Sequence, residues 1–438
     1  MNTLLTNVRI ATLDDTFTII DHGYVVITDK IFTHVESGDP PEHVKKQADR
    51  IRNMQGKWLL PGLYNTHGHA AMTLMRGYED DLPLDRWLKE KIWPFEGKLD
   101  REAVTAGRAL AMSEMIKSGT IGFLEMYHLF MDDFAEQIKD TGMRAVLTRS
   151  VIGLCSREEQ DAKLDESAAF AASWNGEADN RIHTMLAPHA PNTCPIDYIK
   201  RIVERAVDLQ LPVHMHLAET KKEVDDHYKM HGMHPLDQLD QYGLLNQVQW
   251  LFAHGVHLEQ KHIELLAETK ALISHNPISN LKLGSGMAPL SQMLQSNVSV
   301  SIGCDGVSAN NTLDMWEELR MAVLLQKGLL QQADAINVKQ ALRMVTKEGA
   351  TALQTGQPGM ITVGAEADCI LLDQTAAHLQ PEQQLHSHLV YAARGSDVTD
   401  VYVQGRSLLE NKQLITLDEE KIRFEANEQF AKVAHSII

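Results

Sequence analysis

Histidines separated by a single residue are the feature of this chain whose chemistry is easiest to read. Such pairs occur at His67/His69, His214/His216 and His386/His388. Two imidazoles spaced in this way at the end of a strand can face the same metal ion. The chain has 21 histidines, and about one such spacing is expected by chance in a chain of this kind. The spacing alone is therefore weak evidence for a metal site.

The positions of further reactive residues strengthen the metal interpretation. His216, His254 and Asp305 each end or directly follow a short apolar run, as His67 and His69 do. Any one of them could be a capped loop histidine or a turn aspartate. Imidazoles and one carboxylate from four strand ends together suit zinc, which prefers nitrogen with some oxygen.

Short apolar runs alternate with helical patterns through the middle of the chain. Most of these runs are continuous rather than alternating, as expected for parallel strands that are buried on both faces. Helices are predicted over 101–118, followed by the cap residue Gly119, and over 334–354. Eight strands with intervening helices favour a (β/α)₈ barrel, a TIM barrel of the α/β class. The predicted strands are 59–65, 120–126, 144–151, 181–187, 212–217, 249–253, 271–274 and 298–303.

Both ends of the chain are rich in strand patterns of a different style. Segments 3–13 and 23–35 near the start, and 367–373 and 400–405 near the end, are short apolar runs bounded by turn residues. One small β domain built from both termini would explain this symmetry. We therefore predict three segments: residues 1–59 and 362–438 form the β domain, with a C-terminal helix in the second of these segments, and 60–361 form the barrel.

Composition limits the possible partners and the compartment. The formal net charge of −18 argues against nucleic acid, whose phosphates it would repel. No run of about 18 apolar residues predicts a membrane span, and the first residues lack the pattern of a signal peptide. The four cysteines are far apart and form no CxxC pair, which fits the reducing cytoplasm.

Ordered motifs along the whole chain resemble the amidohydrolase superfamily. Within it, the chain is similar to the branch that holds methylthioadenosine/S-adenosylhomocysteine deaminases and their chlorotriazine-hydrolase relatives. The resemblance implies a (β/α)₈ barrel with a small β sandwich formed by the N- and C-terminal segments. The motifs that carry it lie at 61–77, 93–99, 148–149, 187–195, 214–220, 253–258, 274–289 and 303–311.

The resemblance also implies a metal site and a reaction. Its ligands would be His67, His69, His216 and Asp305, which would hold one zinc ion per subunit. Zinc would activate a water molecule, which adds to C6 of a purine nucleoside, and ammonia would leave. The family's strand-four lysine, which bridges two metals in other branches, is missing from 181–189, and this favours a single metal.

Three residues would move or orient protons according to the same resemblance. Glu219 would carry a proton from the water to the ring nitrogen, a task suited to a carboxylate. Asp305 would pass a proton to the leaving amine, and His254 would orient the nucleophile. Glu219 and Asp305 would therefore contact the substrate as well. A carboxylate in the first turn of the following helix is the plainer alternative for Glu219.

Substrate recognition is assigned by the same similarity. Glu96 would accept hydrogen bonds from the ribose hydroxyls, and a carboxylate can accept from both. Arg149 would meet the carboxylate of a homocysteine tail, with a structural salt bridge as its alternative. His189 stands where the bridging lysine of other branches would be and would lie near the sugar. Trp87 and Trp93 are expected to be packing residues.

Alternatives to an adenine nucleoside remain open at the level of sequence. Another ring substrate, such as guanine, a pterin, cytosine or a triazine, would suit the same barrel. A metal-binding relative without catalysis is the alternative from another class, and it should lack a proton-transfer residue. Relatives usually form oligomers, so a homo-oligomer is expected. No role follows from the sequence for His227, His231 and His234.

Overall fold

The computed structural model describes residues 1–437, with the side chain of Asp85 left out. Strands from both chain ends pair in one nine-stranded sheet. The fifth of these strands joins the two ends because it pairs in parallel with the first and antiparallel with the sixth. The strands of this terminal sheet are Asn2–Ala11, Ile19–Thr28, Ile31–Ser37, Arg50–Asn53, Trp58–Pro61, Cys369–Leu372, Val398–Val403, Arg406–Glu410 and Gln413–Leu414.

Eight further strands form two four-stranded parallel sheets in chain order. Nearly every residue in them is buried, which explains why the sequence shows continuous apolar runs instead of alternation. These parallel strands are Leu63–Asn65, Thr120–Tyr127, Arg144–Arg149, Ile182–Thr184, Val213–Leu217, Trp250–His254, Leu272–His275 and Ser299–Ile302.

Backbone hydrogen bonds connect the two parallel sheets at both of their edges. At one edge, Leu186 N–H donates to Pro212 O at 3.1 Å, and His214 N–H donates to Leu186 O at 2.9 Å. At the other edge, Thr66 N–H donates to Ile302 O at 3.0 Å. The first strand is thereby held beside the eighth.

Helices cover the parallel strands, and the helix predicted over 101–118 is found within one residue of its expected bounds. Asp100 caps its start by accepting from Ala103 N–H at 2.9 Å. The α-helices are Glu42–Gln47, Leu84–Trp87, Trp93–Glu96, Arg101–Lys117, Met131–Thr141, Arg157–Trp174, Glu177–Asn180, Ile196–Leu209, Lys221–His231, Pro235–Gln241, Gln260–Glu268, Pro277–Lys282, Leu290–Gln295, Val307–Asn310, Met315–Leu330, Val338–Val345, Lys347–Ala352, Leu385–Tyr391 and Glu419–His435. Shorter 3₁₀ turns occupy Ala70–Met75, Ala377–Leu379 and Gly395–Asp397, and Leu88–Ile92 is a π turn.

Three predicted elements are divided in the structure. The strand predicted over 59–65 is two strands, because Trp58–Pro61 pairs in the terminal sheet whereas Leu63–Asn65 joins the parallel strands. The run 23–35 reverses at Asp29, which adopts a positive φ of 53°. The helix predicted over 334–354 breaks at Thr346, whose φ of −121° and ψ of −91° are not helical.

A buried ion pair ties the terminal sheet to the parallel strands. Arg144, on the third parallel strand, donates from Nε to Asp368 Oδ2 at 2.6 Å. Asp368 immediately precedes the sixth strand of the terminal sheet, and both side chains are almost fully buried. Removing one partner would leave a buried charge without its counterion, which is strongly destabilising. The pair therefore fixes the position of the terminal sheet against the strands that carry the site.

In the part of the chain that the structure describes, no helix has the length and apolar character needed to cross a bilayer. All four cysteines are free thiols.

Candidate metal centre

The parallel strands bring the predicted ligands together at one end of the strand array. His67 and His69 follow the first of these strands, and His216 lies near the end of the fifth. His254 ends the sixth strand, and Asp305 follows the eighth. Because the carboxyl ends of parallel strands in such an array share one face, residues remote in sequence become neighbours.

These side chains form two overlapping groups with the spacing of a metal site. One group is His67, His216 and His254, and the other is His67, His69 and Asp305. Within each group the candidate ligand atoms lie within 4.8 Å of one another. Because His67 belongs to both groups, they describe one centre. The geometry brings all four predicted ligands together and admits His254 as a fifth.

Backbone carbonyls fix the orientation of two of the imidazole rings. His69 Nδ1 lies 2.6 Å from Met126 O, and His216 Nδ1 lies 2.7 Å from His189 O. A carbonyl oxygen only accepts, so each Nδ1 carries the proton and each Nε2 keeps its lone pair. This is the arrangement that holds a metal-binding histidine in its productive tautomer.

His67 is oriented by another histidine. His214 Nδ1 donates to Leu251 O at 2.8 Å, so its Nε2 accepts from His67 Nδ1 at 2.9 Å. His67 Nε2 is then left buried without a hydrogen-bond partner among the described residues. It lies 3.5 Å from Asp305 Oδ1. A buried imidazole lone pair that faces a carboxylate and other imidazoles fits a zinc ion.

Charge and burial favour the metal-binding protonation state in His67, His216 and Asp305, whereas in His69 burial is outweighed by the neighbouring Asp305, which raises the pKa of that ring. Burial lowers the pKa of His67 to about 3, and burial followed by the neighbouring His189 lowers the pKa of His216 well below its usual value. Burial opposes ionisation of Asp305, but its contacts with His67 and His69 outweigh this and hold its pKa well below the usual range. Neutral imidazoles and an ionised carboxylate are the metal-binding forms.

Glu219 and His254 face each other beside the metal groups. His254 Nδ1 donates to Asn280 Oδ1 at 2.8 Å, which leaves its Nε2 lone pair 3.9 Å from Glu219 Oε2. Ser285 Oγ lies 3.4 Å from Glu219 Oε1. Burial raises the pKa of Glu219, so its carboxyl group can both accept and return a proton nearer neutral pH.

Three residues at these strand ends adopt backbone conformations that favour glycine. The φ angles of Ala218, His254 and Asp305 are 50°, 74° and 64°. Positive φ at residues other than glycine costs about 1–3 kcal/mol each and is concentrated at functional sites. The strain lies where the chain must turn sharply to present Glu219, His254 and Asp305 to one centre.

Of the predicted substrate residues, His189 lies beside a member of the metal groups, and Glu96 is connected to another through Tyr127. The hydroxyl of Tyr127 donates to Glu96 Oε1, and the Tyr127 ring centroid is 6.4 Å from that of His69. The rings of His189 and His216 are 4.7 Å apart. Burial lowers the pKa of His189 to about 4, so its ring is neutral and can serve as a hydrogen-bonding group.

Within residues 1–437, the hydrogen bonds of the Arg149 side chain go to residues outside the metal groups. Its guanidinium donates to His128 O at 3.0 Å and forms an ion pair with Glu166. This is the structural salt bridge that the sequence left as the alternative. The guanidinium is still partly exposed, with 32% of the side chain accessible.

The two tryptophans before Glu96 differ in environment. Trp87 is buried and donates from Nε1 to Glu79 O at 3.1 Å, so the packing prediction is right for it. Trp93 is 44% exposed, and the packing prediction is wrong there. The helix 93–96 presents one face to solvent, and a residue pattern this short cannot indicate which face that is.

Several residues that build the site were not singled out by the sequence. Ser279 donates to Asp305 Oδ2 at 2.5 Å, and Asn280 orients His254. Both belong to the motif at 274–289, which gave the only signal for them. The HxH spacing drew attention to His214, but the sequence could not distinguish a ligand from a histidine that supports another ligand.

The pattern of the amidohydrolase family matches residues 58–408, which is most of the chain, so this protein belongs to the amidohydrolase family. A 5-methylthioadenosine/S-adenosylhomocysteine deaminase of Shouchella clausii (strain KSM-K16) is 55% identical over 433 residues, covering 99% of this chain and 100% of that protein. The resemblance inferred from the motifs is confirmed.

Solved structures agree with this assignment. An adenosine deaminase from Xanthomonas campestris with bound zinc matches with a TM-score of 0.91 and 32% identity, covering 99% of this chain and 98% of that one. A triazine hydrolase from Arthobacter aurescens matches with a TM-score of 0.89 at 20% identity, covering 98% and 99% of the two chains. The chain therefore has a mixed α/β fold, and the amidohydrolase structures that it resembles are of the TIM-barrel type.

Proposed function

We propose that this protein is a zinc-dependent hydrolase that deaminates adenine nucleosides, including 5′-methylthioadenosine, S-adenosylhomocysteine and adenosine. The observation that carries the proposal is the convergence of imidazole nitrogens and the Asp305 carboxylate on one centre, within 4.8 Å in each group. The name of the relative from Shouchella clausii and the zinc in the Xanthomonas structure support it.

The proposed ligands of one zinc ion per subunit are His67, His69, His216 and Asp305. Their donor set of neutral imidazoles and one carboxylate is the set that zinc prefers. When bound, zinc supplies a Lewis acid that makes water nucleophilic near neutral pH. His254 is then a catalytic residue that orients the nucleophile, because its Nε2 lone pair can accept a hydrogen bond from it.

Proton transfer is assigned to the two carboxylates of the centre. As water adds to C6 of the purine, Glu219 takes a proton from it and delivers that proton to the ring nitrogen N1. Asp305 takes the second proton of that water from the new C6 hydroxyl group and passes it to the amino group, which leaves as ammonia when the C–N bond breaks and the C6=O double bond forms. The products are a 6-oxopurine nucleoside and ammonia, so atoms and charge balance.

Substrate binding is assigned to Glu96, Arg149 and His189, together with Glu219 and Asp305. The Glu96 carboxylate, one oxygen of which accepts from Tyr127, can accept from two adjacent ribose hydroxyls. This favours a ribosylated substrate over guanine, a pterin, cytosine or a triazine. The presence of Glu219 and His254 beside the ligands argues against a metal-binding relative without catalysis.

Steady-state kinetics with adenosine, methylthioadenosine, S-adenosylhomocysteine and guanine, followed by ultraviolet absorbance, test the proposal. Zinc content should be measured on the same sample. We expect turnover of at least one adenine nucleoside and about one zinc ion per chain. Turnover of guanine with no adenine nucleoside consumed would eliminate the proposal.

The architecture that we propose is a closed (β/α)₈ barrel over 60–361, with a β sandwich formed by 1–59 and 362–438. The backbone hydrogen bonds at both edges of the parallel sheets support closure. A homo-oligomer in the cytoplasm is proposed as well, and the four free thiols support a reducing compartment. Light scattering coupled to size-exclusion chromatography would determine the number of subunits.

A further inference from the structure

The carboxylate of Glu223 lies against the turn that carries Glu219. Glu223 Oε1 accepts from the backbone N–H of Ala218 at 3.0 Å, and Oε2 accepts from the backbone N–H of Glu219 at 2.9 Å. The side chain is only 9% exposed. One carboxylate therefore holds two consecutive amides of the segment that connects the fifth parallel strand to its helix.

This arrangement differs from an ordinary helix cap. Thr220 is the N-cap of the helix Lys221–His231, and its Oγ1 accepts from Glu223 N–H at 3.1 Å. In a capping box, the glutamate at the third helical position returns a bond to the N–H of the N-cap residue itself. Glu223 instead bonds to the two residues before the N-cap, Ala218 and Glu219.

The turn held by Glu223 is strained and is clamped from two sides. Ala218 has a φ of 50°, which is unfavourable for any residue with a Cβ atom. Its carbonyl accepts from the N–H groups of Val256 and His257 at 3.1 and 3.0 Å, while its own N–H is held by Glu223. The conformation persists because both polar groups of Ala218 are fixed by neighbours.

We propose that Glu223 is a positioning residue, which holds the backbone of Glu219 so that the Glu219 carboxyl group faces His254 and the metal centre. The proposal rests on the proposed function, in which Glu219 transfers the proton. The held geometry is the placement of Glu219 Oε2 at 3.9 Å from His254 Nε2.

The ionised form of Glu223 is needed for both contacts. A carboxylate offers an acceptor oxygen to each amide, whereas a glutamine side chain offers one acceptor and would turn its NH₂ group toward the second N–H. Burial, and then the nearby Glu219, raise the pKa of Glu223 to about 7, while the two backbone N–H groups oppose this rise. The two backbone N–H groups therefore stabilise the ionised form of Glu223, which burial and Glu219 disfavour.

The test compares Glu223→Gln and Glu223→Asp with Thr220→Ala in the zinc-loaded enzyme. The first variant keeps the size of the side chain and loses one acceptor, and the second keeps the charge but is one methylene too short to reach both amides. Thr220→Ala removes the cap of the same helix and leaves both contacts of the Glu223 carboxylate in place. It is the matched control for a purely structural role.

We expect both Glu223 variants to lower kcat by about 10- to 100-fold, as removal of a supporting hydrogen bond commonly does. Zinc content should remain close to that of the parent, because no ligand is changed, and any rise in KM should be much smaller than the fall in kcat, because the other substrate-binding groups stay in place. Thr220→Ala should lower the melting temperature and leave kcat nearly unchanged. If Glu223→Gln does not fold, Glu223→Asp carries the test.

Two outcomes would overturn the proposal. In one, the Glu223 variants lose stability but keep kcat. In the other, Thr220→Ala lowers kcat as much as they do, which would assign the effect to the helix end. Crystal structures of the parent and Glu223→Gln give a readout independent of turnover. Glu219 should leave its position beside His254 in the variant even if the parent proves to deaminate no adenine nucleoside, a result that would eliminate only the proposed function.

Discussion

His67 and Asp305 come from the first and eighth parallel strands and are joined through both backbone and side chains. Asp305 N–H donates to His67 O at 2.9 Å, and His67 Nε2 lies 3.5 Å from Asp305 Oδ1. The backbone bond belongs to the edge where the two parallel sheets meet. Formation of the candidate metal centre therefore depends on the same register that brings the first strand beside the last.

Loss of one imidazole ligand should empty the metal centre. We expect His216→Ala to reduce the zinc content from about one per chain to near zero and to abolish deamination, because three donors hold zinc far less tightly than four. Elemental analysis after gel filtration measures this. The control is His388→Ala, which alters a histidine of the same HxH spacing that stacks on Trp58 outside the site. Equal zinc loss in both variants would contradict the assignment.

Removing the proton-transfer carboxylate should separate metal binding from catalysis. Glu219→Gln keeps the size of the side chain and should retain zinc, since Glu219 is not among the ligands. We expect kcat to fall by about 10²- to 10⁴-fold, the usual contribution of general acid–base catalysis. Ser285→Ala, which removes only a long contact of 3.4 Å to Glu219, should have a much smaller effect. Undiminished turnover by Glu219→Gln would refute the proton-transfer role.

Recognition of the ribose should depend on Glu96. We expect Glu96→Gln to lower kcat/KM for adenosine by about tenfold or more, because an amide oxygen replaces a charged acceptor of two hydroxyl groups. The same variant should change kcat/KM for 2′,3′-dideoxyadenosine little. Tyr127→Phe, which removes one donor to Glu96, should act more weakly in the same direction. An equal loss for both nucleosides would mean that Glu96 does not read the ribose.

If Arg149 binds the carboxylate of a homocysteine tail, its replacement should affect only the substrate that has this tail. Arg149→Gln should lower kcat/KM for S-adenosylhomocysteine, which has a carboxylate tail, by about tenfold and leave methylthioadenosine nearly unchanged. Glu166→Gln should act in the opposite direction, because Glu166 pairs with the same guanidinium and competes with a substrate carboxylate. Ratios of kcat/KM for the two substrates measure both effects. A ratio that stays constant in both variants would exclude a role for Arg149 in tail recognition.

Acid should destabilise the fold partly through His234. Its Nδ1 accepts from Leu236 N–H and its Nε2 donates to His257 O, each at 3.1 Å, so the neutral ring is required. Burial, and then His262, lower its pKa from 6.5 to about 3. Below pH 6.5 the unfolded chain takes up a proton that the folded chain refuses. As the pH decreases below 6.5, this group should therefore lower the free energy of unfolding by up to about 1.4 kcal/mol per pH unit.

His234→Asn tests this dependence. Asparagine can cap the helix Pro235–Gln241 and does not titrate. Urea unfolding at several pH values between 6 and 5 should show a shallower slope in the variant than in the parent. Parallel slopes would show that His234 does not contribute.

Local sequence patterns were sufficient for most of the elements and for selecting the candidate ligands that the structure brings together. The continuous apolar runs predicted the parallel strands, and the reactive residues at their ends predicted His67, His69, His216 and Asp305 as one centre. These signals are readable because strand burial and chain position are properties of a few consecutive residues. The single helix predicted over 334–354 is wrong at Thr346, where the chain breaks into two helices and the side chain gives no local signal for the break.

Contacts between residues of different helices and strands were decided by the tertiary structure alone. Only the packed structure shows that His214 supports His67, that Asn280 orients His254 and that Glu166 engages Arg149. Each of these pairings depends on strand register and loop path, and the energy that selects a register is spread over the whole core. The types of the residues in this site were thus determined by the sequence, and their partners by the fold.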